Sequence, residues 1–339
     1  MMDFATTTAQ RDLADAARRH LSDRFPPSRL AAATDHGVPD PEDWAALERQ
    51  GWLDAELGPV DLALLAEESG RALLPQPWVG TAGSALPVYR SAGLPLPGPA
   101  TLADSPDMCG ARETPDWRVN GSAPGVVDAH LATELVVAAT TRQGVALFGV
   151  APSEVSIAVR DDIDPLRRSA TVRLLDAPAR LLADPDRTAE LLPALRLRTA
   201  TLLACEAVGV ADGALAEAVR YAGIRTQFGR PIGSFQAVAH QLAEAYAEIE
   251  TARSLAYRAA VTLDGARAGA GAAEAVACAA VAGPRAAVMA CEIALQVCGG
   301  IAMTWEFGLH WRYRRALWLD AHRVIAVPPH DALAALLLS

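Results

Sequence analysis

YAGIRTQFGRPIGSFQ, residues 221–236, decides how this chain is read. The stretch closes one helix, turns on Gly229 and Gly233, and opens another near Ser234, whose hydroxyl is placed to cap it. Arg225 and Arg230 flank the turn, beside backbone N–H groups that a helix start leaves free. Guanidinium groups next to such donors suit a pyrophosphate, and Phe228 is placed to cover an adenine face. The same residues also fit a plain helix–helix turn with solvated arginines. The pattern alone leaves both readings open.

Outward from this turn, residues 187–339 are rich in alanine and carry helical spacing. Four long segments are expected, near 188–222, 236–264, 271–298 and 305–322, punctuated by glycines. Long helices with short connections predict an antiparallel four-helix bundle. Upstream, residues 96–186 break into short runs. Val155, Ile157 and Val159 alternate with small residues, and 135–137, 145–148 and 172–174 are further strand candidates. Many short strands without helices between them predict a small β-barrel or sandwich. Residues 1–95 read as a helical domain. Leu13, Ala17 and Leu21 recur at helical spacing, Asp40 precedes Pro41-Glu-Asp as a helix start, and a helix over about 61–74 ends at Pro75. The fold class is therefore α+β, mostly α: helices, a small β-domain, then a helical bundle.

Composition narrows the chemistry. The chain has 339 residues and a net charge of −10, and all 30 of its basic residues are arginine. Without lysine there is no Schiff base and no P-loop. The acidic balance argues against nucleic-acid binding. Five cysteines without a C-x-x-C pair suit a reduced, cytosolic protein, and Cys291 and Cys298 read as core fillers. The charge-free stretch 72–89 contains three prolines and two glycines, which should interrupt it, so no membrane span is expected there. The seven histidines have no H-x-x-x-H or H-E-x-x-H spacing, so no metal site is expected. Neither G-x-S-x-G nor G-x-G-x-x-G occurs.

The segment from 220 to 260 closely resembles the acyl-CoA dehydrogenase family, and QVCGGIAMTWEFGLHWRYRRA, residues 296–316, resembles its second C-terminal signature. The order helix, β, helix agrees. The resemblance implies FAD bound in an extended form across a subunit interface. It places Arg225 at the pyrophosphate, with Gln227, Phe228 and Gln236 around it, and Gln296, Gly299 and Gly300 at the adenine end. On this reading the two motifs form a clasp closed between chains. The glycines also have a physical rationale, since a backbone without Cβ atoms can approach a cofactor closely, though they equally suit a helix C-cap.

The resemblance also implies α,β-desaturation of an acyl-CoA thioester, which needs a carboxylate to remove the α-proton. Here the two family positions for that base fall at about Arg323 and near Thr199, neither of them acidic. Asp320, one helical turn before the first, is the candidate for a displaced base. Glu206 reads as a helix-packing acid, and Glu306 is not assigned the proton transfer. The arginines 312, 314 and 315 either meet CoA phosphates or pair with neighbouring acids. The flavin-ring loop of typical members has no match in DSPDMCGARETPDWRVNGS, residues 104–122. This combination resembles the short subunit of heteromeric actinobacterial acyl-CoA dehydrogenases, known from steroid and lipid catabolism. The expectations are then a second acyl-CoA dehydrogenase-like chain (α2β2) that supplies the base, an acyl-CoA substrate and an electron-transfer acceptor. The alternatives are a self-sufficient homo-oligomer and a non-catalytic scaffold member.

Overall fold

A computed structural model of the chain describes residues 6–36, 40–113, 116–264, 270–322 and 329–338. Helix α1 (Thr8–Arg24) begins at a capping box, in which Thr7 Oγ1 accepts from the Gln10 N–H at 3.2 Å and the Gln10 side chain accepts from the Thr7 N–H. Helix α2 (Pro27–His36) follows. Helix α3 (Pro41–Arg49) starts as its sequence dictates, with the Asp40 carboxylate accepting from the Glu42 N–H at 2.9 Å. Helix α4 (Pro59–Ala72) ends where Leu73 turns left-handed, slightly before the expected stop at Pro75.

The described residues form two compact units that do not follow chain order: residues 1–36, 55–74 and 200–339 make one, and 37–54 and 75–199 the other. The N-terminal helical zone is thus shared between them, α1, α2 and α4 falling in the first and α3 in the second.

The second unit is built on a β-barrel. Its strands are β1 (Ala100–Glu113), β2 (Asp116–Val127), β3 (Glu134–Thr141), β4 (Gly144–Val150), β5 (Ser156–Val159) and β6 (Ser169–Ala183). β1 pairs parallel to β3 and antiparallel to β2, β3 pairs with β4, and β6 pairs with both β4 and β2, which closes the ring. β5 lies on the first half of β6, outside the ring. Met108, Val119, Val137, Phe148, Val172 and Leu174 fill the interior. A bulge in β6 sets Leu175 and Asp176 opposite Asn120. Asp176 is left-handed there, and its N–H donates to the Asn120 side chain at 2.8 Å.

Residues 78–91 are helical throughout, contrary to the expected interruption: α5 (Trp78–Gly80) and α6 (Leu86–Ser91) are joined by a π-helical turn over Thr81–Ala85. Pro87 explains the turn. It has no N–H to donate, and the ladder ahead of it widens so that the Leu86 N–H reaches Thr81 O. Ala82 O, whose next donor in that ladder would be residue 87, instead accepts from Arg198 Nε at 3.0 Å. Burial pushes the Arg198 guanidinium down to about 10. Val88 and Tyr89 on α6 pack with Ala138, Leu147, Leu182 and Leu195.

The first unit holds the bundle. Helix α7 (Pro185–Ile224) enters it from residue 200. A short hairpin, β7 (Thr226–Gln227) and β8 (Arg230–Pro231), then leads to α8 (Gln236–Asp264), α9 (Ala270–Cys298), α10 (Leu309–Ala321) and α11 (Pro329–Leu338). Residues 271–303 are long and apolar enough to cross a membrane by composition alone, with a mean hydropathy of 1.7. Part of this helix is buried by packing on α8, α10 and α11. Ion pairs tie the helices together. Glu68 accepts two bonds from Arg18 (2.7 and 3.0 Å), and Glu67 accepts from Arg71, Arg253 and Tyr257. Burial, and then Glu67, push the Tyr257 phenol well up. Cys205, Cys291 and Cys298 are buried, and for the last two this is the expected core role.

Candidate functional site

The turn after α7 is a two-residue hairpin. Thr226 pairs with Pro231 and Gln227 with Arg230, which leaves Phe228 (φ 53°) and Gly229 (φ 78°) as the central residues. Positive φ at both positions is the geometry of a type I′ turn, which favours Asn-Gly. Phenylalanine there carries a conformational cost, and its ring is 92% exposed. Strain spent on an exposed aromatic side chain points to a role outside the chain's own packing.

The polar groups of the turn divide by what they touch. Arg230 lies over the Phe235 ring at 4.1 Å, and Phe228 meets the same ring edge-on. The Gln227 side chain donates to Thr226 O at 2.9 Å. Ser234 donates to Pro231 O and does not cap α8, which begins two residues later at Gln236; the expected cap is corrected. The exposed Arg225 guanidinium has no partner among the described residues, while its backbone is fixed by bonds from Arg225 N–H to Tyr221 O and from Ile232 N–H to Arg225 O.

The second motif lies at the same end of the same bundle. Arg258 near the close of α8 pairs with Glu274 near the opening of α9 at 3.1 Å, so the two helices run antiparallel. The start of α8, with Gln236, therefore shares an end with the close of α9, with Gln296, Gly299 and Gly300. All four residues are exposed. Gly299 is left-handed (φ 65°), and a Cβ at either glycine would meet nothing within 4 Å. Gly299 closes α9 in the left-handed conformation of a helix C-cap, which by itself favours glycine there, whereas neither backbone conformation nor packing requires it at Gly300. Tyr221 and Phe307 join the two motifs through an edge-to-face contact at 6.0 Å. The seven cofactor candidates thus all lie toward one end of the bundle of a single chain.

The base positions are different. Thr199 belongs to the other unit, with its Oγ1 buried and unpartnered among the described residues. It packs under Gly83, where a Cβ would fall 2.6 Å from that oxygen. Arg323 lies outside the described residues. Asp320 is exposed on α10 and lines a cavity of about 40 Å³ with His322, His330, Leu203, Ala204 and Pro284. Glu306 is exposed. Glu206 is the packing acid expected, fully buried against Arg315 at 2.6 Å. Arg312 pairs with Glu217 at 2.9 Å, so two of the three late arginines are held by acids of the chain itself. Nothing in the sequence signalled Phe307 or Phe235, because ordinary aromatic residues acquire these roles only through their partners.

Residues 197–321 match the model of the acyl-CoA dehydrogenase C-terminal domain. The acyl-CoA dehydrogenase IpdE2 of Mycobacterium tuberculosis is 33% identical over 303 residues, covering 85% of this chain and 84% of that one. The chain belongs to the acyl-CoA dehydrogenase family. A longer acyl-CoA dehydrogenase, FadE34 of the same organism, is 33% identical over 335 residues, which span 92% of this chain but 42% of FadE34. The ChsE4-ChsE5 complex from Mycobacterium tuberculosis contains a chain of this acyl-CoA dehydrogenase fold, with a TM-score of 0.82 at 22% identity over 99% of this chain and 98% of that one.

Proposed function

We propose that this chain is one subunit of an FAD-dependent acyl-CoA dehydrogenase. It holds the nucleotide end of the cofactor, and a second acyl-CoA dehydrogenase-like chain supplies the carboxylate that removes the α-proton. One contrast carries the reading: the cofactor motifs are assembled and open, whereas the base position on α7 is a buried hydroxyl under Gly83. A hydroxyl without an adjacent base cannot take a proton from carbon at neutral pH.

The residues present fit the cofactor's nucleotide half. Arg225 would hold the pyrophosphate with charge-assisted bonds, Phe228 would cover the adenine, and Gln227, Gln236 and Gln296 would satisfy polar edges. Gly299 and Gly300 would let the backbone come close. FAD held by these residues would supply an acceptor for the β-hydrogen as hydride, with an electron-transfer protein as the proposed partner for its reoxidation. The same proposal places the protein in the cytosol. Support for an unlike partner comes from ChsE4-ChsE5, a complex of two named chains, and from FadE34, of which more than half lies beyond the match, room for a second chain of this size.

The test is flavin content and acyl-CoA turnover of the chain purified alone and together with a co-expressed acyl-CoA dehydrogenase-like partner. Flavin and turnover should require the pair. Arg225→Ala should weaken flavin binding about ten- to hundredfold. A lone chain that is yellow and active would replace this proposal with a homo-oligomer, for which Asp320 is the candidate base. In that case Asp320→Asn would abolish turnover. A pair that is flavin-free and inert would leave a scaffold.

A further inference from the structure

We infer that Phe307 is a positioning residue, which sets the Arg225 turn and the Gly299–Gly300 segment at the spacing that an adenine nucleotide bridges. This rests on the cofactor reading above and adds to it a residue outside both motifs.

Each half of the site is braced locally, above a bundle that carries both. The turn is braced from within, by the Arg230–Phe235–Phe228 stack and by the backbone bonds at Arg225. The segment after α9 is also self-braced. Gly299–Met303 forms a 3₁₀ turn, Thr304 N–H and Oγ1 both donate to Ile301 O at 3.0 Å, and Gly308 N–H donates to Thr304 O at 3.3 Å. Beyond it, α10 is held to α9 by Tyr313–Glu292 at 3.1 Å and to α7 by Arg312–Glu217 at 2.9 Å. None of these bonds spans the open surface between the halves.

Phe307 does, meeting Tyr221 with ring centroids 6.0 Å apart and planes at 85°. Tyr221 O is also the acceptor for the Arg225 N–H, at 2.9 Å. A displacement of Phe307 therefore reaches Arg225 through one ring contact and one helical turn. The partly exposed pair holds a separation between two rigid pieces. Losing it should alter ligand affinity before it alters folding.

The probe is ADP, titrated calorimetrically into the complex of the full-length chain with its co-expressed partner, with urea unfolding of the chain run in parallel. Phe307→Ala should weaken ADP about three- to tenfold with an unchanged unfolding midpoint, and Phe307→Tyr should restore it. The effects of Tyr221→Ala and Phe307→Ala should be non-additive in ADP affinity, which a merely structural role would not produce. If Arg225→Ala abolishes ADP binding while Phe307→Ala binds like the wild type, this inference falls and the cofactor reading stands. If Arg225→Ala is without effect, or the wild type binds no ADP, both fall.

Discussion

Arg315 and Glu206 are both fully buried, and the arginine Nη1 donates to the glutamate Oε1 at 2.6 Å. The pair fastens α10 to α7 inside the bundle. Removing one partner leaves a charge in an apolar interior, so Glu206→Leu should lose about 3–5 kcal/mol of unfolding free energy. Pairing it with Arg315→Met should recover most of that loss, because desolvation of the second charge disappears as well. Urea denaturation of the single and double variants measures both. Equal losses in the two variants would refute the argument.

The Arg198 bond to Ala82 O fills a gap that Pro87 creates. Arg198→Met should leave that carbonyl unsatisfied and cost about 1–3 kcal/mol. Adding Pro87→Ala should return part of it, since residue 87 then has an N–H of its own. Additive losses in the double variant would disprove the link.

Phe228 occupies a conformation that suits asparagine better. Phe228→Asn should stabilise the chain by up to about 1 kcal/mol and at the same time reduce flavin retention. A variant that gains stability and keeps its flavin would show that the exposed ring has no cofactor role.

His310 stands between Trp305 and Trp311, with centroids 4.9 Å away on each side. Burial, then the Arg314 charge, hold its imidazole below the ordinary 6.5, and His130 is lowered in the same direction. As pH falls through about 6.5 the unfolded chain gains protons that the folded chain refuses, so stability drops with acidification. The urea midpoint should fall between pH 7.5 and 5.5, and fall less in His310→Phe. An identical pH slope in the variant would exclude His310 as a source.

Much of this architecture is legible along the chain. Capping acids, prolines at helix starts and alanine-rich spacing mark α3 and the bundle helices through local rules that neighbouring residues satisfy. The turn around Arg225, Phe228 and Gly229 could be read as a turn for a similar reason, since its backbone geometry is set within a few residues, while its assignment to a cofactor came from the resemblance to the family. The π-turn at Thr81–Ala85 was not readable. Proline signals a break, and whether it breaks or only widens a helix depends on a donor 111 positions away in Arg198.

By itself, the sequence determined most of the helices and strands, and that two stretches resembling the family's nucleotide contacts are present while the position of Thr199 carries no acid. Tertiary structure alone decided that those motifs share one end of one chain, because the antiparallel run of α8 and α9 returns the close of α9 to the end of the bundle where α8 begins. It also decided what the acids and arginines are spent on. The sequence offers Glu206 as a packing acid and pairing as one role for Arg312 and Arg315, but only packing shows that Glu206 holds Arg315 and Glu217 holds Arg312.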